Sequence, residues 1–145
     1  MRKITKIILH HSLTKDGSVV DWQAIRKYHI ETQKWFDVGY HFGIEKINKE
    51  YEVLIGRPLQ IEGAHTKGQN SDSIGICFIG NYDIAEPEKI MIEIALKRII
   101  LPLCLFFNLR AKDIYGHKDF AQKTCPGKKF DLEKIRQPIR DIFDK

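Results

Sequence analysis

Residues 74–80, Ile-Gly-Ile-Cys-Phe-Ile-Gly, form a continuous apolar run with polar residues on either side. A strand without polar alternation is covered on both faces, so the run predicts a central strand of a buried sheet. Its glycines predict close approach of neighbouring backbone. A chain built on such a strand needs layers above and below it.

The rest of the sequence supplies them. Residues 4–9 are a β-rich apolar run ended by His10-His11-Ser12, which predicts a buried strand whose C-terminal end opens into a loop, with His10 at the strand end. Asp16-Gly17-Ser18 is turn chemistry. From residue 20 or 21 to about 33, Trp22, Ile25, Tyr28 or His29 and Thr32 recur at helical spacing and predict an amphipathic helix. Residues 40–47 and 51–55, linked by Asn48-Lys49-Glu50, predict a hairpin whose first strand Tyr40 opens. Residues 57–73 carry glycine and polar residues with no sustained period, which predicts a surface loop containing His65. Pro87 suits the first turn of the largest helix, which continues through Leu101 and is kinked or divided by Pro102. Residues 113–115 predict a short strand, and Asp131 starts a final helix interrupted near Pro138. Strands alternating with helices define an α/β class. The hairpin makes the sheet mixed, so the expected architecture is a central mixed β-sheet flanked by helices.

Length and charge bound the function. A chain of 145 residues with 43% hydrophobic content builds one core, so residues 1–145 are expected to form a single domain. A net charge of +5 favours an anionic partner: nucleic acid, a membrane surface or a cell-wall polymer. Lys and Arg are scattered and no nucleic-acid motif accompanies them, so no nucleic-acid partner is expected. Residues 99–107, interrupted by Pro102, are too short to span a membrane. Cys77, Cys104 and Cys125 leave one thiol over in any pairing, and the apolar run before His10 is short for a secretory signal. Both point to synthesis in the cytoplasm. Cys77 and Cys104 lie in apolar segments and read as inert core thiols.

The chemistry gathers in residues 115–127. His117 and Cys125 offer an imidazole and a thiolate with seven residues between them, and Gly116 and Pro126-Gly127 mark the segment as loop. A third ligand must come from elsewhere. Cys125 stands among Lys123, Thr124, Pro126 and Lys128, poor company for a core residue, and the nearby lysine cations favour a thiolate. On the pair alone the commoner reading of such a cysteine is a small buried hydrophobe with no chemistry.

In order along the chain come Ile8-Leu9-His10-His11-Ser12, Gly39-Tyr40-His41-Phe42, Gly63-Ala64-His65-Thr66-Lys67-Gly68-Gln69-Asn70, Ser73-Ile74-Gly75-Ile76-Cys77, and Gly116-His117-Lys118-Asp119 with Lys123-Thr124-Cys125-Pro126-Gly127. Together, over about residues 5–130, they resemble the zinc-dependent N-acetylmuramoyl-L-alanine amidases, most of all the small phage-lysozyme branch that shares its fold with peptidoglycan recognition proteins. The resemblance implies that His10, His117 and Cys125 hold Zn2+, with His10 rather than its neighbour His11 at the ligand position, and that Tyr40 and Lys123 are catalytic. It implies hydrolysis of the amide joining N-acetylmuramic acid to L-alanine in peptidoglycan, by a monomer that acts on the cell wall after release. A binding module that holds muropeptides without cutting them is the alternative. His65 reads as a contact of a ligand or of substrate, or as a solvent-exposed histidine; His29 and His41 read as structural.

Overall fold

The computed structural model describes residues 1–13 and 21–144; the turn expected at Asp16-Gly17-Ser18 lies outside the described residues. Five strands form one mixed sheet: β1 (Lys6–His11), β2 (Phe42–Ile47), β3 (Glu50–Ile55), β4 (Ser73–Phe78) and β5 (Ile114–Gly116), in the order β3-β2-β4-β1-β5. Strands β2 and β3 are antiparallel, and every other pairing is parallel. The apolar run is the central strand that the sequence predicts. Every residue of β4 is buried, with β2 on one side and β1 on the other.

Side-chain parity divides the sheet into two faces. Ile7 and Leu9 of β1 with Ile74, Ile76 and Phe78 of β4 face a large apolar core closed by helices. Its main cover is one long helix in three parts: α2 (Lys89–Ala95), a π-helical segment (Leu96–Ile100) and α3 (Leu101–Phe107). Helix α4 (Glu133–Phe143) adds Ile135 and Ile139 to that core. Cys77 faces the other way, into a smaller cluster with Trp22, Val38 and Tyr40. Helix α1 (Trp22–Lys27), prolonged by a π-helical segment (Tyr28–Thr32), covers that side. Asp21 caps it by accepting the Ala24 amide at 2.8 Å, and Trp22 packs its ring on the backbone of Gly43.

Several boundaries differ from the sequence expectation for local reasons. Both Asn48 and Lys49 take positive φ, 50° and 72°, so the hairpin turns on two residues and Glu50 already belongs to β3. Tyr40 stands two residues ahead of β2, although the Arg57 amide donates to its carbonyl at 3.0 Å and extends the pairing. Pro87 precedes the helix, which is capped at Glu88. Pro102 neither ends nor divides that helix: the π-helical turn ahead of it changes the carbonyl spacing where its missing N–H leaves a gap. Asp131 caps α4 from outside, its carboxylate accepting the Glu133 amide at 3.0 Å, and Pro138 lies inside that helix without breaking it. The close approach at Gly75 is made by the imidazole of His65, not by backbone.

Candidate metal centre

Register assembles the site. Strands β1 and β5 run parallel with Leu9 opposite Gly116, so the next residue of each chain, His10 and His117, comes side by side at the carboxyl ends of the strands. Their ring centroids are 4.7 Å apart. Parity sends His10 to the α1 face of the sheet. His11 points to the opposite face, where its Nδ1 accepts the Tyr82 amide at 3.1 Å.

Cys125 returns to the same place through backbone contacts. The Lys118 amide donates to the Cys125 carbonyl at 2.8 Å, and the His11 amide donates to Sγ at 3.3 Å. Thr124 is tied to the Asp83 carboxylate at 3.0 Å. The donor atoms of His10, His117 and Cys125 consequently lie within 4.8 Å of one another. An imidazole nitrogen at ~2.0 Å and a thiolate at ~2.3 Å from one tetrahedral zinc are about 3.6 Å apart. His10 Nδ1 and Cys125 Sγ are separated by 3.7 Å. Two imidazoles, one sulfur and this spacing fit zinc.

The protonation states of the imidazoles suit the same purpose. Burial holds His10 well below its ordinary pKa, and His65, His117, His11 and Lys123 push the same way, so the ring is neutral with a lone pair to offer. His117 is lowered by its own burial and by Lys123. Cys125 departs from the sequence expectation: burial raises its thiol to about 11, outweighing the His11 amide and Lys123. Flanking cations alone therefore do not produce a thiolate; a bound cation would.

These groups line a cleft of about 500 Å³ that also takes in Tyr40, His65 and Lys123. The Tyr40 ring lies 5.2 Å from His10 and packs against the cluster that holds Cys77. Burial first, then Cys77 and Cys125, keep that phenol protonated. Lys123 is exposed on the cleft wall. His65 is half-buried rather than solvent-exposed, with Nδ1 2.9 Å from His10 Nε2. Residue-by-residue reading misses Thr66 and Ser73, both buried and both bonded to His65, because nothing in a loop without period announces them. His29 and His41 serve the backbone: His29 Nδ1 accepts the Gly39 amide at 3.0 Å and His41 Nδ1 the Gly75 amide at 3.1 Å.

Residues 1–128 match the family model for N-acetylmuramoyl-L-alanine amidases. The chain belongs to that family. The amidase is 34% identical over 137 residues to the endolysin of Klebsiella phage KP32, covering 92% of this chain and 85% of that protein. It is 31% identical over 125 residues to peptidoglycan-recognition protein SC2 of Drosophila melanogaster, covering 83% of this chain and 66% of the relative. Among solved structures it resembles the N-acetylmuramoyl-L-alanine amidase LysC from Clostridium intestinale, with a TM-score of 0.81 at 27% identity over 96% of this chain and 87% of the other. Its reaction is therefore hydrolysis of the peptidoglycan amide between N-acetylmuramic acid and L-alanine. Among the described residues no helix is long and apolar enough to cross a membrane.

Proposed function

We propose that this amidase depends on one Zn2+ held by His10, His117 and Cys125, and that Tyr40 and Lys123 carry out catalysis beside it. The observation that carries the reading is the approach of the three donor atoms to within 4.8 Å of one another in the lining of the cleft. Three protein ligands leave a tetrahedral ion one open position, the arrangement of catalytic rather than structural sites. Zinc bound there supplies Lewis acidity toward the scissile carbonyl and the attacking water.

The chain's own groups do the rest. Tyr40, kept protonated by burial, offers an O–H to orient the water or to pass a proton toward the leaving amine. Lys123 donates from the cleft wall to the oxyanion that develops on the substrate carbonyl. The net charge of +5 favours approach to an anionic wall polymer. In this reading the protein is made in the cytoplasm, works as a monomer and meets the wall after release.

Metal content and product release test it together. The parent should carry one zinc per chain and free new L-alanine amino termini from purified walls. His10→Ala should lose the metal and the activity, whereas His11→Ala, whose ring faces away, should keep the metal. Full zinc occupancy in the His10 variant would sink the ligand set. A parent that sediments with walls and releases no L-alanine termini is a recognition module instead.

A further inference from the structure

His65 stands outside the metal triad, yet it is bonded to it. Its Nδ1 lies 2.9 Å from His10 Nε2 and 2.9 Å from Thr66 Oγ1, and Thr66 Oγ1 is itself 3.3 Å from His10 Nε2. At the far side of the ring, Nε2 is 3.4 Å from the hydroxyl of Ser73, which is fully buried in β4. Both ring nitrogens are thus engaged inside the protein. No polar atom of the imidazole remains for substrate, which removes the substrate-contact reading.

The ring is also seated. It lies against Gly75 so closely that a Cβ there would fall 2.5 Å from the imidazole. The loop that carries His65 is fastened in turn, Asn70 Oδ1 accepting the amides of His65 at 3.0 Å and Thr66 at 2.9 Å. Ser73, Gly75 and Asn70 therefore fix where His65 Nδ1 sits, and that atom faces His10.

We propose that His65 is a positioning residue for the metal: its Nδ1 accepts the Nε2 proton of His10 and so holds His10 in the tautomer, and at the angle, that presents Nδ1 to zinc. The inference rests on the proposed zinc site. A lone pair on His10 Nδ1 requires the proton on Nε2, and a buried N–H requires an acceptor. Among the described residues His65 Nδ1 and Thr66 Oγ1 are the two acceptors in reach, and His65 is the nearer. His65 in turn carries its own proton on Nε2, directed at Ser73. The sequence Ser-Ile-Gly at residues 73–75 thus gives the central strand two jobs. Ser73 ends the chain of hydrogen bonds, and Gly75 vacates the space for the ring.

Three substitutions separate this role from packing. Asn places an oxygen where Nδ1 stands; Gln reaches past it toward the Nε2 position; Ala removes the group. Zinc affinity, read by chelator competition, should fall about 10- to 100-fold in His65→Ala and His65→Gln, the range found when a partner of a metal-bound histidine is lost. His65→Asn should stay near the parent. Independently of metal, 15N NMR of the zinc-free protein should find His10 with Nδ1 unprotonated in the parent and in His65→Asn, and a mixture of tautomers in His65→Ala. A parent that binds one zinc, with parental affinity and an unmixed His10 tautomer in His65→Ala, overturns this inference alone. A parent that binds no zinc overturns the metal reading and this inference with it. Equal losses in the Asn, Gln and Ala variants would reduce His65 to a packing residue.

Discussion

Tyr40 and Lys123 reach the cleft by different means, and the difference sets how each is tested. The Tyr40 ring packs between His10 at 5.2 Å and Trp22 at 6.4 Å, so its position is held by the fold. Tyr40→Phe keeps the ring and removes the hydroxyl. Zinc content should be unchanged while turnover drops on the order of 100-fold, the usual cost of a general acid or base. Lys123 is exposed, and truncating it leaves no cavity. Lys123→Ala should likewise keep metal and fold and lose on the order of 100-fold in turnover, the cost of one oxyanion donor. Both are read from the rate of L-alanine terminus release beside zinc analysis of the same sample. Near-normal turnover would return Tyr40 to packing or Lys123 to ordinary surface charge.

Between α1 and the sheet, contact depends on the absence of a side chain. Trp22 lays its ring on Gly43 of β2, where an added Cβ would collide with the ring. Gly43→Ala should push α1 off the strand and lower unfolding free energy by about 1–3 kcal/mol in urea titration, as overpacking does. Because Trp22 also backs Tyr40, turnover should fall with it; unchanged stability would show that α1 can shift at no cost. Such contacts mark where the sequence stops being readable. Strand β4 was legible because an unbroken apolar run has one structural meaning, and the hairpin was legible from its polar link. The π-helical turn before Pro102 was not, since Leu96–Ile100 has ordinary helical composition. His10 beside His117 follows from the Leu9–Gly116 register, a pairing across more than a hundred residues that no local period encodes. Family resemblance supplied that ligand set; the strands supply its physical reason. The burial of Cys125 was not legible either: Lys123, Thr124 and Lys128 suggest open loop, whereas the His11 and Lys118 amides hold the residue inward.

The molecule keeps uncharged histidines in its interior, and this makes its stability depend on pH in a definite direction. His41 is fully buried; Nδ1 accepts the Gly75 amide, so the proton sits on Nε2 and is donated to the Ile61 carbonyl at 2.8 Å. Burial, with Arg2 and Arg57 adding to it, lowers this histidine to about 4. His65 is lowered further, to about 3, by burial first and then by His41, His117, Arg2 and Arg57, each of which disfavours a second positive charge there. The unfolded chain takes up these protons near the ordinary value of about 6.5, before the folded chain can. Between those limits the unfolded state binds more protons, so stability rises with pH. The contribution is complete above about 6.5 and is lost as the solution is acidified toward 4. For His41 a depression from 6.5 to about 4 corresponds to about 3 kcal/mol. That is a large share of the 5–15 kcal/mol typical of a domain. Asp72 and Asp83, both held below the ordinary carboxylate value, add their losses only at lower pH still, so the histidine window comes first on acidification. Urea unfolding of the zinc-free protein at a series of pH values should show the parent losing about 3 kcal/mol more between pH 6.5 and 4 than His41→Gln, which has no proton to gain there. Parallel curves for the two proteins would mean that His41 accepts its proton in the folded state as readily as in the unfolded one.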